Sequence, residues 1–367
     1  MLDILTTISI VALVFIVVYA IDFKNSKKVI ILTSLYIYHI SISIGFYFMS
    51  FTRTSDAFNY YHRTLDHIIS YTSVPFSFGT KFIDNIVYFL IQNLHFSYFN
   101  TFLLFSSMSF FGIALLYHLM VQQKNISSYG ALILFLPGVH FWISSLGKDS
   151  LIFLFLSLAL YALVKNKIYI LVISLLFIFL IRPHIALMLI VAIVVSFIIK
   201  AKVKLSLKIF SSIILLGFLF IVVQSVMQYI GINSLENIFE YISQRQQYNL
   251  EGSSSIVISE MNILEKYMTF WYRPFFEKFT FNYLIISMEN LLYVLITLYI
   301  IKNRRYIIWN HSMLTIFLYI IFVTFILSST TANFGIIIRQ KIMLFPMFYY
   351  IFITVMSRKN KSMLYAK

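Results

Sequence analysis

The stretch that decides the fold is Ile168 to Ile199, which reads IYILVISLLFIFLIRPHIALMLIVAIVVSFII. It is apolar on both sides of one polar triplet, Arg182-Pro183-His184. One membrane-spanning helix needs about 20 apolar residues, so the run is too long for one span and short for two full-length spans. Pro183 predicts a break, because proline disfavours helical geometry in the residue before it.

Basic residues on both sides of this run predict how it folds. Lys165 and Lys167 precede it, and Lys200 begins a basic cluster behind it. Since basic loops of membrane proteins stay in the cytoplasm, both flanks belong on the inner side and the run forms a hairpin. The triplet at its tip then points outward. The alternative is a single, strongly tilted helix with a kink at Pro183.

The composition agrees with a membrane protein. Hydrophobic residues make up 60% of the chain and charged residues only 11%, a balance that excludes a soluble domain of this size. Dense apolar runs favour helices, because membrane strands show a weak ten-residue alternation instead. The first apolar run has no basic residue ahead of it, which predicts a retained span and not a signal peptide. The absence of cysteine excludes a thiol nucleophile and a thiolate metal site.

The net charge of +15 is concentrated in short loops between apolar runs, which indicates membrane orientation and excludes nucleic acid as the partner. The same logic predicts an all-α polytopic membrane protein with eleven spans, its N-terminus outside. By residue number the spans are 3–21, 29–50, 98–121, 130–144, 149–164, 168–181, 185–199, 209–230, 281–301, 306–328 and 340–356.

Two outer segments are long enough to hold structure of their own. Residues 51–97 form the first outer loop, in which 82–94 is predicted to be a helix lying in the membrane interface. Residues 231–280 form a large outer loop, with one helix starting near Ser234 and another running from about Glu260 to Phe276. One membrane domain, residues 1–367, with an outer helical cap is the simplest organisation.

Five cations fall at or just below the outer boundary on this map. Residues 129–164 form a second hairpin, whose tip carries Lys148. Arginine binds phosphate oxygens through two parallel hydrogen bonds and lysine adds a point charge, so a cluster of them would suit a lipid-linked phosphate or pyrophosphate. The alternative is that each arginine pairs with an outer carboxylate such as Asp149, Glu277 or Glu289, or reaches the lipid head groups. The five residues are Arg182, Arg273, Arg339, Lys148 and Lys341.

Three residues are rival candidates for a general base. Glu289 lies well inside the span 281–301, where an acid is a functional candidate, and its structural alternative is a neutral or arginine-paired acid. His184 and Asp56 lie at the outer side and could also accept a proton. Histidines and carboxylates show no metal-ligand spacing, so no metal is predicted.

The ordered set of short motifs resembles the Wzy-type polymerases of bacterial O-antigen and capsular polysaccharide, and more loosely the EpsG-like exopolysaccharide proteins. The motifs are Ser145-Leu146-Gly147-Lys148-Asp149-Ser150-Leu151, Ile181-Arg182-Pro183-His184, Tyr272-Arg273-Pro274-Phe275 with Glu289-Asn290, and Asn333-Phe334-Gly335 leading to Arg339-Gln340-Lys341 and Pro346. In some members an arginine is followed eleven positions later by glycine. After Arg182, Arg273 and Arg339 this chain has Ile193, Leu284 and Tyr350 instead, so that assignment does not carry over.

The resemblance implies a glycosyltransferase of the bacterial inner membrane, active on its periplasmic face, with a GT-C-like fold and without metal or other cofactor. Its substrates would be oligosaccharide repeat units linked to undecaprenyl pyrophosphate, and its partners a chain-length regulator and a flippase of the same pathway. Arg182, Arg273, Arg339, Glu289, His184 and Asp56 are then the catalytic candidates, with Lys148 and Lys341 assisting the arginines in binding pyrophosphate. Two alternatives remain, a transporter or flippase of lipid-linked sugars, and an O-antigen ligase or membrane acyltransferase.

Overall fold

The computed structural model describes residues 2–22, 26–52, 55–65, 78–123, 129–200 and 254–365, together with short stretches and single positions between 204 and 247. Within these residues the secondary structure is helical, apart from one isolated antiparallel bridge between Ser255 and Asn333. The chain divides into two compact units. One comprises residues 1–183 and 352–367, and the other comprises residues 184–351.

The first unit is built around α5 and α8, which pack against each other along their lengths. They approach closely at Gly112, where a Cβ atom would lie 2.8 Å from the ring of Phe153. Its described helices are α1 (Leu2–Asp22), α2 (Ser26–Thr52), α3 (Asp56–Leu65), α4 (Thr80–Tyr88, continued by a π-helical turn at Phe89–Asn93), α5 (Tyr98–Gln122), α6 (Tyr129–Leu132), α7 (Pro137–Ile143), α8 (Lys148–Lys165) and α9 (Ile168–Ile181).

The second unit contains the carboxyl-terminal helices. Trp271 anchors α11 there, since its ring packs against Tyr293 and Phe348 and its Nε1–H donates to Thr324 Oγ1 at 3.2 Å. The described helices are α10 (Pro183–Lys200, whose first residue belongs to the first unit), α11 (Ile263–Tyr272), α12 (Phe281–Lys302), α13 (His311–Thr330), α14 (Phe334–Lys341) and α15 (Phe345–Tyr365, which ends in the first unit).

Several of these helices could cross a membrane, as the sequence predicts. Five described helices are long and apolar enough, and the number rises to seven if each of two bent helix pairs counts as one span. The chain therefore has the all-helical architecture of a membrane protein. The five are Lys28–Thr52, Tyr98–Gln122, Pro183–Lys200, Phe281–Lys302 and His311–Thr330.

The predicted break at the polar triplet is confirmed. α9 ends at Ile181, Arg182 has extended backbone angles, and α10 begins at Pro183. Proline suits the first position of a helix because its missing N–H would have no partner there. Whether the two arms form a hairpin or a kinked helix stays a prediction.

Two predicted spans have a different local structure. Residues 130–144 do not form one helix: a 3-10 turn at Ile133–Phe135 and the helix start at Pro137 divide them, and α7 meets α8 at 112°. Pro137 explains the division, since it cannot donate the hydrogen bond that a continuous helix requires there. The span 340–356 begins inside α14, which ends at Lys341 and meets α15 at 55°.

The outer segments are described in part. The helix predicted at 82–94 is present as α4 with its π-helical continuation. The helix predicted from Glu260 is also present as α11, which begins with a reciprocal capping box between Asn262 and Glu265. The predicted helix near Ser234 lies outside the described residues, and the span 209–230 lies largely outside them.

Candidate functional site

A buried polar cluster in the second unit joins α12 to the junction between α14 and α15. Lys341, the last residue of α14, is 4% exposed, and its Nζ donates to Oδ1 of Asn290 at 2.6 Å. Nζ also lies 5.6 Å from the centre of the Tyr293 ring. Glu289 is 7% exposed and lies near enough for its charge to act on Lys341. The cluster thus holds an ammonium and a carboxylate inside apolar helices.

The end of α14 helps to hold this cation. A helix carries partial negative charge at its carboxyl end, which favours a lysine in the last turn. α14 is a short helix of eight residues that is capped at its start by Asn333 and ends at Lys341. The Asn333 side chain accepts hydrogen bonds from the backbone N–H groups of Gly335 and Ile336 and from Ser254 Oγ. The motif Asn333-Phe334-Gly335 therefore fixes the start of the short helix that ends at Lys341, before the 55° bend to α15.

The same cluster anchors the segment that carries Arg273. Asn290 Nδ2 donates to the carbonyl oxygen of Pro274 at 2.7 Å, and the N–H of Phe276 donates to Ser287 Oγ at 2.9 Å. These two bonds fix the segment after α11 along one side of α12. The sequence motifs around Arg273, Glu289 and Lys341 thus meet in one place within this unit.

Arg273 lies at the exposed edge of this arrangement. Its side chain is 42% exposed, its Nε–H donates to Glu277 at 2.6 Å, and its guanidinium lies 5.3 Å from the centre of the Phe334 ring. Arg339 is partly exposed on α14, two residues before Lys341. Arg273 therefore contacts the first residue of α14, whereas Lys341 is its last residue.

A second group of charges lies in the first unit, at the start of α8 and the end of α9. Arg182 donates to Asp149 Oδ1 at 2.6 Å, and the side chains are 16% and 2% exposed. Asp149 also lies in the first turn of α8, where the positive end of the helix dipole stabilises a carboxylate. The Nε–H of Arg182 is buried and has no hydrogen-bond partner among the described residues.

Lys148 and Arg63 extend this group along α4. Lys148 Nζ donates to Thr80 Oγ1 at 2.7 Å, and Arg63 donates to Asp84 Oδ1 at 2.8 Å. Burial raises the pKa of Asp84, although Arg63 and Lys148 both act to lower it. The backbone N–H of Gly79 donates to Leu180 O, which ties the start of α4 to the end of α9.

The predicted residues therefore fall into separate groups. Arg273, Glu289 and Lys341 belong to the cluster in the second unit, and Arg182 and Lys148 belong to the group in the first. Two arginines make the pairs that the sequence offered as the alternative, Arg182 with Asp149 and Arg273 with Glu277. Three candidates remain: Arg339 lies on α14 two positions before Lys341, Asp56 is exposed at the start of α3, and His184 is the second residue of α10.

Sequence reasoning gave no role to Asn290, which holds Lys341 and the Arg273 segment together. Its position beside Glu289 in an apolar helix was the available signal, because buried amides in membrane helices need partners. Arg63 and Asp84 were also left without a role. Within the described ranges, no group of three or more potential metal ligands comes together.

Comparisons of the chain with protein-family models, with curated proteins and with solved structures gave no match.

Proposed function

We propose that the chain is a polysaccharide polymerase of the membrane, a glycosyltransferase that moves a growing glycan from undecaprenyl pyrophosphate to an incoming lipid-linked repeat unit. The observation that carries the proposal is the buried pair of Lys341 and Asn290, with Glu289 beside it and Arg273 at its edge. Placing one charge inside a membrane helix costs about 2.5 to 3.5 kcal/mol, so such residues are kept for function.

The chemistry of a lipid pyrophosphate fits these cations. When the bond between the anomeric carbon and the pyrophosphate oxygen breaks, its electrons pass to the pyrophosphate, whose negative charge increases. Arg273 and Lys341, with Arg339 nearby on α14, would stabilise that charge in surroundings of low dielectric. The leaving group is already a good one, so the protein mainly holds and orients two lipid-anchored substrates.

The acceptor hydroxyl loses its proton as its oxygen bonds to the anomeric carbon. Glu289 is the favoured base among the three candidates, because it is the one whose charge acts on Lys341. Asp56 and His184 remain rivals, and each would need the substrate to bring the hydroxyl to it.

A polymerase handles two lipid-linked substrates, and each compact unit carries its own group of cations. In the first unit the buried Nε–H of Arg182 is left over after its bond to Asp149, and Lys148 adds a second cation. We assign pyrophosphate binding to Arg182 and Lys148 there, and to Arg273, Arg339 and Lys341 in the second unit.

The topology proposed with this function has eleven spans, a GT-C-like arrangement and an active face in the periplasm of the bacterial inner membrane. Residues 130–144 and 340–356 would cross as broken helices. A chain-length regulator and a flippase are the proposed partners.

The direct test uses purified protein in nanodiscs with lipid-linked repeat units as the sole substrate. A ladder of longer glycans is expected, without added nucleotide sugar. Lys341→Met should reduce the ladder by about 100-fold, whereas Lys302→Met, a change at an exposed lysine at the end of α12, should leave it unchanged. Polymer that forms only when lipid A core is supplied would identify a ligase instead.

A lipid-linked sugar transporter is the second candidate, and the two bent helix pairs favour it, because broken helices are typical of transporter sites. Proteoliposomes decide between the two. Movement of a labelled lipid-linked unit between leaflets without any change in glycan length would support the transporter and reject the polymerase.

A further inference from the structure

Two histidines face each other inside the first unit. His39 of α2 and His140 of α7 are fully buried, and their Nδ1 atoms lie 2.9 Å apart. Each outer nitrogen meets a backbone carbonyl: His39 Nε2 lies 3.0 Å from Ser106 O, and His140 Nε2 lies 2.6 Å from Leu134 O. The two rings therefore form a chain of three polar contacts between two carbonyl oxygens.

Two neutral histidines carry one hydrogen too few to satisfy all three of these contacts. A carbonyl oxygen can only accept, so both outer nitrogens must carry hydrogen to satisfy the two end contacts. Each neutral imidazole has a single N–H, which leaves two Nδ1 lone pairs facing each other across 2.9 Å. That contact is repulsive unless a positive ion lies between the rings.

A hydrogen bond from a serine hydroxyl can stabilise the histidine pair when both rings are neutral. Ser106 Oγ lies 3.1 Å from His39 Nε2 and can donate to it, which frees the N–H of His39 to donate to His140 Nδ1. Ser109 Oγ lies 3.2 Å from the same nitrogen, but it donates to Ser106 O at 2.8 Å. In this neutral state His39 Nε2 accepts from the hydroxyl and no longer donates to Ser106 O, so that one contact is lost while the contacts with His140 and Leu134 O are satisfied.

We propose that His39 and His140 form a binding site for one proton, shared between their Nδ1 atoms and released when the Ser106 hydroxyl donates to His39. The proton comes from solvent and returns to it, and no other bond forms or breaks. The spacing fits this occupant, since N–H contacts of this kind measure about 2.7 to 3.2 Å. Zinc, ligated tetrahedrally at about 2.0 to 2.1 Å by both nitrogens, would hold them about 3.3 Å apart.

The neighbours of the two rings determine which contacts the added proton strengthens. Tyr38 of α2 is the titratable neighbour, with its ring 4.9 Å from that of His140, and Phe110 of α5 lies 5.8 Å from the His39 ring. Among the described contacts of the pair, none involves a charged side chain. The added charge therefore acts on the two carbonyls, and it strengthens the contacts that join α2, α5 and α7.

Nitrogen NMR of histidine-labelled protein in nanodiscs tests this site between pH 4 and 8. The ring-nitrogen resonances that disappear in His140→Asn identify His140, those that shift in the same variant identify its partner His39, and we expect the two rings to titrate as one proton. Ser106→Ala removes the donor of the neutral state, so the midpoint should rise by about one pH unit, the size expected for one ordinary hydrogen bond. Ser109→Ala is the matched control, with less than half of that shift.

Three results would overturn the proposal. The pair could keep one protonation state across the whole range, or the two serine variants could shift its midpoint equally. Purified protein could also contain one copper ion per chain that is lost in His140→Asn, which would make this a metal site. None of these results depends on the glycan assay, so failure here leaves the proposed function standing.

Discussion

Lys341 and Asn290 are 51 positions apart in the chain, yet the ammonium of the first donates to the amide oxygen of the second at 2.6 Å. The amide group of Asn290 also donates to the carbonyl oxygen of Pro274. One side chain therefore links the break after α14 to the segment that carries Arg273. A buried cation without an acceptor is strongly destabilising, so this link controls the stability of the whole cluster.

Replacing Asn290 separates its two bonds. Asn290→Leu removes both and should lower the free energy of unfolding by about 3 kcal/mol, because a buried charged donor loses its acceptor. Asn290→Asp keeps an oxygen for Lys341 and loses only the bond to Pro274, so about 1 kcal/mol is expected. Denaturant unfolding in detergent measures both. Equal losses would show that Lys341 does not depend on Asn290.

Lys341→Met, tested alone and with Glu289→Gln, separates stability from function. Lys341→Met alone removes the cation whose charge compensates the buried Glu289 carboxylate and should cost about 3 kcal/mol, whereas Lys341→Met combined with Glu289→Gln removes both charges and should unfold within about 1 kcal/mol of wild type. In both variants the glycan ladder should fall by about 100-fold, the loss expected when one preorganised electrostatic contact is removed. A variant that is destabilised but still active would make Lys341 a structural residue.

The sequence indicated which buried charges belong to the cluster around Lys341, but it did not indicate which side chains they contact. An acid at Glu289 and a cation at Lys341 inside apolar runs are visible as anomalies, and their cost in a membrane marks them as functional candidates. The role of Asn290 could not be predicted, because it depends on where Pro274 and Lys341 meet in space. Likewise, Pro183 revealed the helix break at Arg182, but the partner of Arg182 lies 33 positions away at Asp149.

The pair of Arg182 and Asp149 gives a test by double substitution. Asp149→Leu alone leaves the guanidinium without its partner and should cost about 3 kcal/mol, whereas adding Arg182→Met should recover most of that loss. The matched pair is Arg63 with Asp84, where Arg63 is 34% exposed and the same changes should cost about 1 kcal/mol or less. The free energies of unfolding of the two single and two double variants show whether each pair is coupled. Losses that add without recovery would show that the pair is not coupled.

Asp84 should make stability depend on pH. Burial raises its pKa above the ordinary value of 3.8, so the folded protein holds this proton more tightly than the unfolded chain. The stabilising contribution is complete below pH 3.8 and is lost as the pH rises through the raised pKa. Asp84→Asn stays neutral and should flatten this part of the profile. Melting temperatures of both proteins from pH 3 to 8 provide the comparison, and identical slopes would contradict the assignment.

The last prediction concerns the cap that positions Lys341. A Cβ atom at Gly335 would lie 3.2 Å from Asn333 Oδ1 and 3.6 Å from Ser254 Oγ, so Gly335→Ala should push the capping oxygen from the N–H groups it serves. Loss of such a cap costs about 1 kcal/mol. Gly45, also helical, has no atom within 4 Å of its Cβ position, so Gly45→Ala should be neutral or stabilise by about 0.5 kcal/mol.

The activity of Gly335→Ala and Gly45→Ala, measured as the glycan ladder, is the second test of these two variants. The cap fixes the start of α14, and Lys341 is the last residue of that helix. A disturbed cap should therefore displace Lys341, and Gly335→Ala should lower activity by more than the fraction of unfolded protein accounts for. Gly45→Ala should keep full activity. If the two alanine variants have the same activity, the position of Lys341 does not depend on the Asn333 cap, and the cation must be held by its contacts with α12 alone.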